Sequence, residues 1–199
     1  MRWGKIGARR MMWSDNDLLP PGARWVEYLE STGTQYIDTG IKPNENTVVS
    51  ADVRFDISSP DLSTICAADD LGFVLRKISS TQISMSGGEW WDAVTTTPFN
   101  RHTYTMGWGY LNIDSSRVIT HKFSITQYTT LLIGLRRAHP SQSGGLIVYS
   151  FDIDNIALRP IAIGTTGYML DLVSGDYLQY GNAGTGDFVI GPDINAPAI

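Results

Sequence analysis

Between Thr47 and Ile57 an apolar side chain recurs at every second residue. Val49, Ala51, Val53, Phe55 and Ile57 fall on one face, and Ser50, Asp52, Arg54 and Asp56 fall on the other. This period belongs to an extended strand with one side in a core and one in water. Shorter runs of the same character follow at Ser63–Ala67, Leu71–Lys77, Thr81–Met85, Trp90–Thr95, His102–Trp108, Tyr110–Ile113 and Arg117–Phe123, then at Thr130–Arg136, Leu146–Asp152 and Ile156–Ile163. Turn residues separate them: Ser58-Ser59-Pro60-Asp61, Ser86-Gly87-Gly88, Asp114-Ser115-Ser116, and a hairpin around Ser174-Gly175. No segment sustains a helical period. Many short strands with frequent turns predict an all-β fold: a two-sheet antiparallel β-sandwich of jelly-roll type with its first and last strands adjacent.

An earlier stretch, Trp25 to Gly40, reads as strand, turn, strand. Trp25–Glu30 is aromatic and aliphatic, Ser31-Thr32-Gly33 supplies a turn, and Thr34–Thr39 resumes the extended pattern. In the second run Gln35, Ile37 and Thr39 share one face, opposite Thr34, Tyr36 and Asp38. The run Glu27-Tyr-Leu-Glu-Ser-Thr-Gly-Thr-Gln-Tyr-Ile-Asp-Thr-Gly40 resembles the opening signature of laminin-G-like, concanavalin-A-like modules found in proteins of gut Bacteroidales and their tailed phages. A second resemblance lies at Gly167-Tyr-Met-Leu-Asp-Leu-Val-Ser-Gly-Asp-Tyr-Leu178, Asn182-Ala-Gly-Thr-Gly-Asp-Phe188 and Gly191-Pro192. Together with the intervening strand pattern, the resemblance covers roughly Leu19 to Asp193. The chain departs from those modules at Asp114-Ser115, where they carry Asp-Gly, and around Arg159-Pro160, where they run longer. The resemblance implies the concanavalin-A-like jelly roll; for function it is less specific, because one fold hosts many jobs.

At 199 residues, residues 22–199 are expected to form one domain and 1–21 a short extended N-terminal arm. The net charge is −5, and residues 1–14 hold Arg2, Lys5, Arg9 and Arg10 without an acid, which leaves −9 on the rest. That acidic body argues against nucleic acid, whose phosphates require a basic stripe. Cys66 stands alone, so no intrachain disulfide forms and the fold must rest on its core; the thiol is expected to be buried and inert. No apolar run reaches the length of a membrane helix, and the basic N-terminus lacks the apolar segment of a signal peptide. The arm contains Trp3, Ile6, Met11, Met12 and Trp13 beside Arg9 and Arg10. Apolar groups of this size are costly in water, and we expect an assembly arm that docks on another subunit or neighbour. A loose terminus and a membrane-surface segment are the alternatives, and Gly4 and Gly7 weaken the helix the latter needs.

Catalysis on this fold implies paired carboxylates. The resembling hydrolases carry Glu-x-Asp-x-x-Glu on one strand, and nothing here matches it; Glu27 and Glu30 belong to the opening motif, and Glu89 and Asp92 fall on opposite faces of their strand. His102, His121 and His139 are separated in sequence and show no zinc spacing. The resemblance implies a calcium ion as the possible cofactor, with Asp69, Asp70, Asp152 and Asp154 as candidate ligands; solvated turns are the other reading of these acids. Saccharides stack on exposed aromatic rings with carboxylates nearby. Glu89, Trp90, Trp91 and Asp92, with Trp108 and Tyr110, are therefore the candidate carbohydrate-binding residues, core packing being the competing role. The polar loop His139–Gly145 is a further candidate binding loop.

The expectation is a non-enzymatic phage-type virion structural protein: a head decoration, or a fibre or tail-associated adhesion component. Its partners would be other virion proteins or copies of itself, with host glycan as a possible ligand. A bacterial cell-surface carbohydrate-binding module is the alternative, and a glycoside hydrolase the third reading.

Overall fold

The computed structural model describes residues 19–68, 72–87, 90–121, 129–137, 139–178, 180–182 and 188–195. Among them there is no helix, and two antiparallel sheets pack face to face as a jelly-roll-like β-sandwich. The strands are β1 (Ala23–Trp25), β2 (Leu29–Ser31), β3 (Gln35–Asp38), β4 (Val49–Phe55), β5 (Thr64–Ala68) and β6 (Phe73–Ser79). There follow β7 (Gln82–Gly87), β8 (Trp90–Thr95), β9 (His102–Gly107), β10 (Tyr110–Ile113), β11 (Ser116–Thr120) and β12 (Leu132–Ile133). The last are β13 (Leu146–Ile153), β14 (Ile156–Ile163), β15 (Thr166–Asp171), β16 (Tyr177–Leu178), β17 (Tyr180–Asn182) and β18 (Val189–Ile190).

The first sheet runs β11-β10-β9-β4-β13-β14-β15-β16, with β2 beside β13, β18 beside β2 and β1 beside β14. The second runs β17-β3-β12-β5-β6-β7-β8. The two ends of the described fold lie side by side: β18 pairs with β2, Val189 opposing Glu30, and Val26, just after β1, bridges to Asp193. β4 buries Val49, Ala51, Val53 and Phe55 as its alternation requires. They meet Ile65, Phe73, Leu75, Ile83 and Met85 of the opposite sheet, and Tyr104, Met106 and Phe151 of their own. Complete burial of each large side chain contributes about 1.5–3 kcal/mol, which lets the sandwich stand without a cross-link. Cys66 is buried in this core, and burial pushes its thiol pKa up, away from reactivity.

Four expectations need correction. Trp25–Glu30 is not one strand: β1 pairs with β14 and β2 with β13, so the chain steps between neighbours at Val26–Tyr28. Nor do the strands on either side of the Ser31-Thr32-Gly33 turn share a sheet: β2 and β3 lie in different ones. Ile57 is 82% exposed, since β4 ends at Phe55 and Asp56 turns the chain by accepting the Ser58 N–H. The strand expected over Thr130–Arg136 shrinks to β12, cut by Gly134 at φ +85°, where the backbone passes close to the Gln35 carbonyl.

Both recognisable motifs turn out to be fastenings. Ser31-Thr-Gly-Thr-Gln35 carries the chain from one sheet to the other, and Gln35 holds the step. Its Oε1 accepts the Gly33 N–H at 2.8 Å, and Ser31 Oγ donates to the Gln35 carbonyl at 3.3 Å. Gln35 is buried on the same face as Ile37 and Thr39, as its parity predicts. At the other end Asp171 closes the β15–β16 hairpin. Its Oδ1 accepts the N–H of Ala157 at 3.1 Å and of Val173 at 3.0 Å, and its Oδ2 accepts that of Ser174 at 3.1 Å.

Pro160 sits inside β14 without breaking it. Its carbonyl accepts the Val26 N–H, so its missing donor faces the gap where β14 changes neighbour from β13 to β1.

Candidate functional site

The last strand of the second sheet, β8, is an edge: β7 is its one ladder partner among the described residues. Register decides which side each residue takes. Met85, a core residue, opposes Asp92, and Ser86 opposes Trp91, so Trp91 belongs to the outer face. There its indole is 63% exposed. Asp92 points the other way, past the sheet edge, and its Oδ2 lies 3.9 Å from Nδ1 of His121, just after β11. β11 is the edge of the first sheet, so this pair marks where the two sheet edges converge. Trp90 takes part in β8 opposite Gly87. Glu89 lies outside the described residues.

The other aromatic candidates separate. Trp108 is half-buried and packs against the main core, which is the competing role considered for it. Tyr110 lies over Gly107, where a Cβ would come within 2.4 Å of the ring. Arg117 stacks on the same ring at 4.2 Å while donating to Asn112 at 2.6 Å. Tyr110 is thus covered by its own neighbours, and Trp91 is the aromatic surface left open to a ligand among these described side chains.

Of the acids proposed for calcium, Asp152 and Asp154 are each engaged within the fold. Asp152 is paired with Arg159 at 2.5 Å, and Asp154 turns the β13–β14 hairpin at φ +51° while its Oδ1 accepts the Val48 N–H at 2.9 Å. Among the described residues no group of three or more His, Cys, Asp or Glu side chains could hold a metal ion. Asp69 and Asp70 lie outside the described residues, as do Trp3, Arg9, Arg10, Met11 and Trp13 of the arm. The chain enters the described fold at Leu19. Leu19 packs with Ala23, Tyr168 and Leu172 on Trp25, Ile161 and Leu170, a small apolar cluster separate from the main core. Met169, next to Leu170, belongs to the main core, so parity puts this cluster on the outer face of the first sheet. No helix among the described residues is long and apolar enough to cross a membrane.

The His139–Gly145 loop is less free than its composition suggests. Ser143 and Gly144 are buried, and Gly144 at φ +99° lies against the Gly33 backbone. The Gly145 N–H bonds to the Ser31 carbonyl, and its own carbonyl accepts the Asp56 N–H at 2.7 Å. That end of the loop braces the sheet crossover.

Sequence reasoning missed one cluster altogether. A bulge in β13 between Val148 and Ser150 turns Tyr149 onto the outer face of the first sheet. Arg101 stacks on its ring at 3.8 Å while bridging to Asp52 at 2.5 Å, Arg54 donates to its hydroxyl at 3.0 Å, and Tyr28 meets it edge-on at 5.7 Å. Glu30 lies nearby; burial and the Asp56 carboxylate raise its pKa, and Arg54 opposes them. No sequence signal marks this cluster, because bulge position depends on pairing. A gap of about 10 Å³ lined by Leu29, Ile37, Val148 and Phe188 lies between the sheets; it is water-sized and too small for an organic ligand. In comparisons with known proteins, no family model matches the chain and no curated protein sequence matches it.

Proposed function

We propose that the chain is a non-enzymatic, laminin-G-like structural module of a phage-type virion, attached through the segment before Leu19 and presenting a saccharide-contacting edge at Trp91. The observation that carries this reading is the separation of the two ends of the task. The chain enters the sandwich on the outer face of the first sheet, while Trp91 stands 63% exposed on the outer edge of the second. A module built so can be held by one layer and leave the other free for a ligand. A flat, solvent-exposed indole suits the C–H face of a sugar ring.

Light scattering on the full chain and on a version lacking residues 1–17 tests the attachment. The expected result is an oligomer that falls to a monomer on truncation. A glycan array with wild type and Trp91→Ala tests the edge, with binding expected for the first alone. Should both versions be monomers that bind glycan, the free-standing bacterial adhesion module replaces the virion reading. Release of reducing sugar from an array ligand would overturn both in favour of a hydrolase.

A further inference from the structure

A hydroxyl, an imidazole and a carboxylate line up on the surface beside the β8–β9 turn. Thr97 opens the turn between β8 and β9, His102 is the first residue of β9, and Asp114 begins the turn between β10 and β11. The fold brings them together. β9 and β10 are antiparallel, so the turn after Ile113 comes back beside the start of β9, where the Asp114 N–H donates to the Thr103 carbonyl and the Thr103 N–H donates to the Asp114 carboxylate. The Phe55 N–H bonds to the Pro98 carbonyl at 2.9 Å and ties the other turn to β4.

The hydrogen bonds assign the protons. Asp114 Oδ2 lies 2.6 Å from His102 Nδ1, while its Oδ1 accepts the Thr103 N–H at 2.9 Å. A carboxylate there can only accept, so Nδ1 carries the proton of the neutral ring and Nε2 is left as an acceptor. Nε2 lies 3.2 Å from Thr97 Oγ. Asn100 Nδ2 donates to the same oxygen at 3.1 Å, which directs the hydroxyl's own proton to His102. The Tyr104 ring, edge-on at 5.9 Å, steadies the imidazole. His102 is 16% exposed in its side chain, whereas Thr97 is open to solvent. A nucleophile hydrogen-bonded to a base, with the base oriented by a third group, is the arrangement that activates hydroxyls for acyl transfer.

We propose that Thr97 is an acyl-acceptor site, its hydroxyl activated by His102, with Asp114 positioning the imidazole. The substrate class is an activated carboxylic ester that reaches Thr97 from solvent. Thr97 Oγ attacks the carbonyl carbon and its proton passes to His102 Nε2, the carbonyl electron pair moving onto oxygen. When that pair returns, the bond to the leaving alkoxide breaks and His102 returns the proton to it. The products are an ester on Thr97 and a free alcohol, with His102 neutral again. The site modifies itself once, and turnover is no part of the proposal.

The test exposes the full chain to p-nitrophenyl acetate and locates the acetyl group by peptide mass mapping. Thr97 is expected to be acetylated about 10²-fold faster than other surface hydroxyls, the range of a positioned general base. His102→Gln should remove that advantage, Asp114→Asn should reduce it, and Thr97→Ser should keep it. Wild-type protein labelled on lysines with Thr97 unmodified overturns the proposal, and needs no variant to fold. Equal labelling of Thr97 in wild type and in folded His102→Gln overturns it as well.

Discussion

Asp171 offers the sharpest check on how the closing motif works. Its side chain is buried, with a relative exposure of 6%, and its oxygens hold three backbone N–H groups from two segments. Burial alone would push its carboxyl pKa up, but the hydrogen bonds from Val173, Ser174 and Ala157 outweigh that, and the pKa lies below its ordinary value. Bonds to a charged acceptor are worth about 1.5–3 kcal/mol each when their donors are left dry. Val173 is 69% exposed in the turn, so water replaces part of what is lost there. Asp171→Ala should therefore cost about 2–4 kcal/mol in total. At about 2–4 °C per kcal/mol for a chain of this size, the midpoint of thermal unfolding falls by roughly 4–16 °C. In Asp171→Asn the amide oxygen can take the place of Oδ1 and keep two of the three donors, so its loss should be about half as large. The pH dependence has a definite sign. A folded-state pKa below the unfolded one gives stability that is present above the unfolded value, near 3.8, and is lost as pH falls through the folded value. Urea unfolding of wild type and Asp171→Asn across acid pH should show that part of the slope in wild type alone. An Asp171→Ala protein within about 0.5 kcal/mol of wild type would refute this reasoning.

Other perturbations test other parts of the structure. Lys77 has a relative exposure of 1%, donates to the Ser59 carbonyl at 2.8 Å and lies 3.7 Å from Asp61, with the Phe55 and Phe99 rings beside it. Burial lowers its pKa against the attraction of Asp61. Between that lowered value and 10.5 the unfolded chain holds a proton the folded one has released, so stability gains a rising term with pH; urea titrations should find it missing in Lys77→Met. The β10–β11 turn holds Asp114 at φ +49° and Ser115 at φ +69°, the pattern of a type I′ hairpin. Ser115→Gly should stabilise the protein by about 1 kcal/mol in thermal melts, because glycine meets no Cβ penalty there. Trp91→Ala should change stability by less than about 0.5 kcal/mol while removing saccharide binding measured by calorimetry.

The strand alternation of Val49 to Phe55, the runs at Tyr110–Ile113 and Ile156–Ile163, and the turn at Asp114-Ser115 were legible in the sequence because strand period and turn chemistry are local properties. So were the shared face of Gln35, Ile37 and Thr39 and the burial of Cys66. The two family-like motifs were readable as motifs, and the structure supplies their physical meaning: Gln35 and Asp171 satisfy backbone groups where the chain changes sheet and where it turns back. Partnership was not legible. Sequence alone does not say that β2 and β3 lie in different sheets, that Ile57 falls beyond the strand end, or that Tyr110 is covered while Trp91 is open. The bulge that exposes Tyr149 and the meeting of Thr97, His102 and Asp114 also depend on register between strands distant in sequence. Local sequence determined which segments extend and which faces are apolar, because each residue's parity follows from its immediate neighbours. Tertiary structure decided which faces meet and which side chains stay accessible, because those depend on hydrogen-bonded register across the whole sandwich.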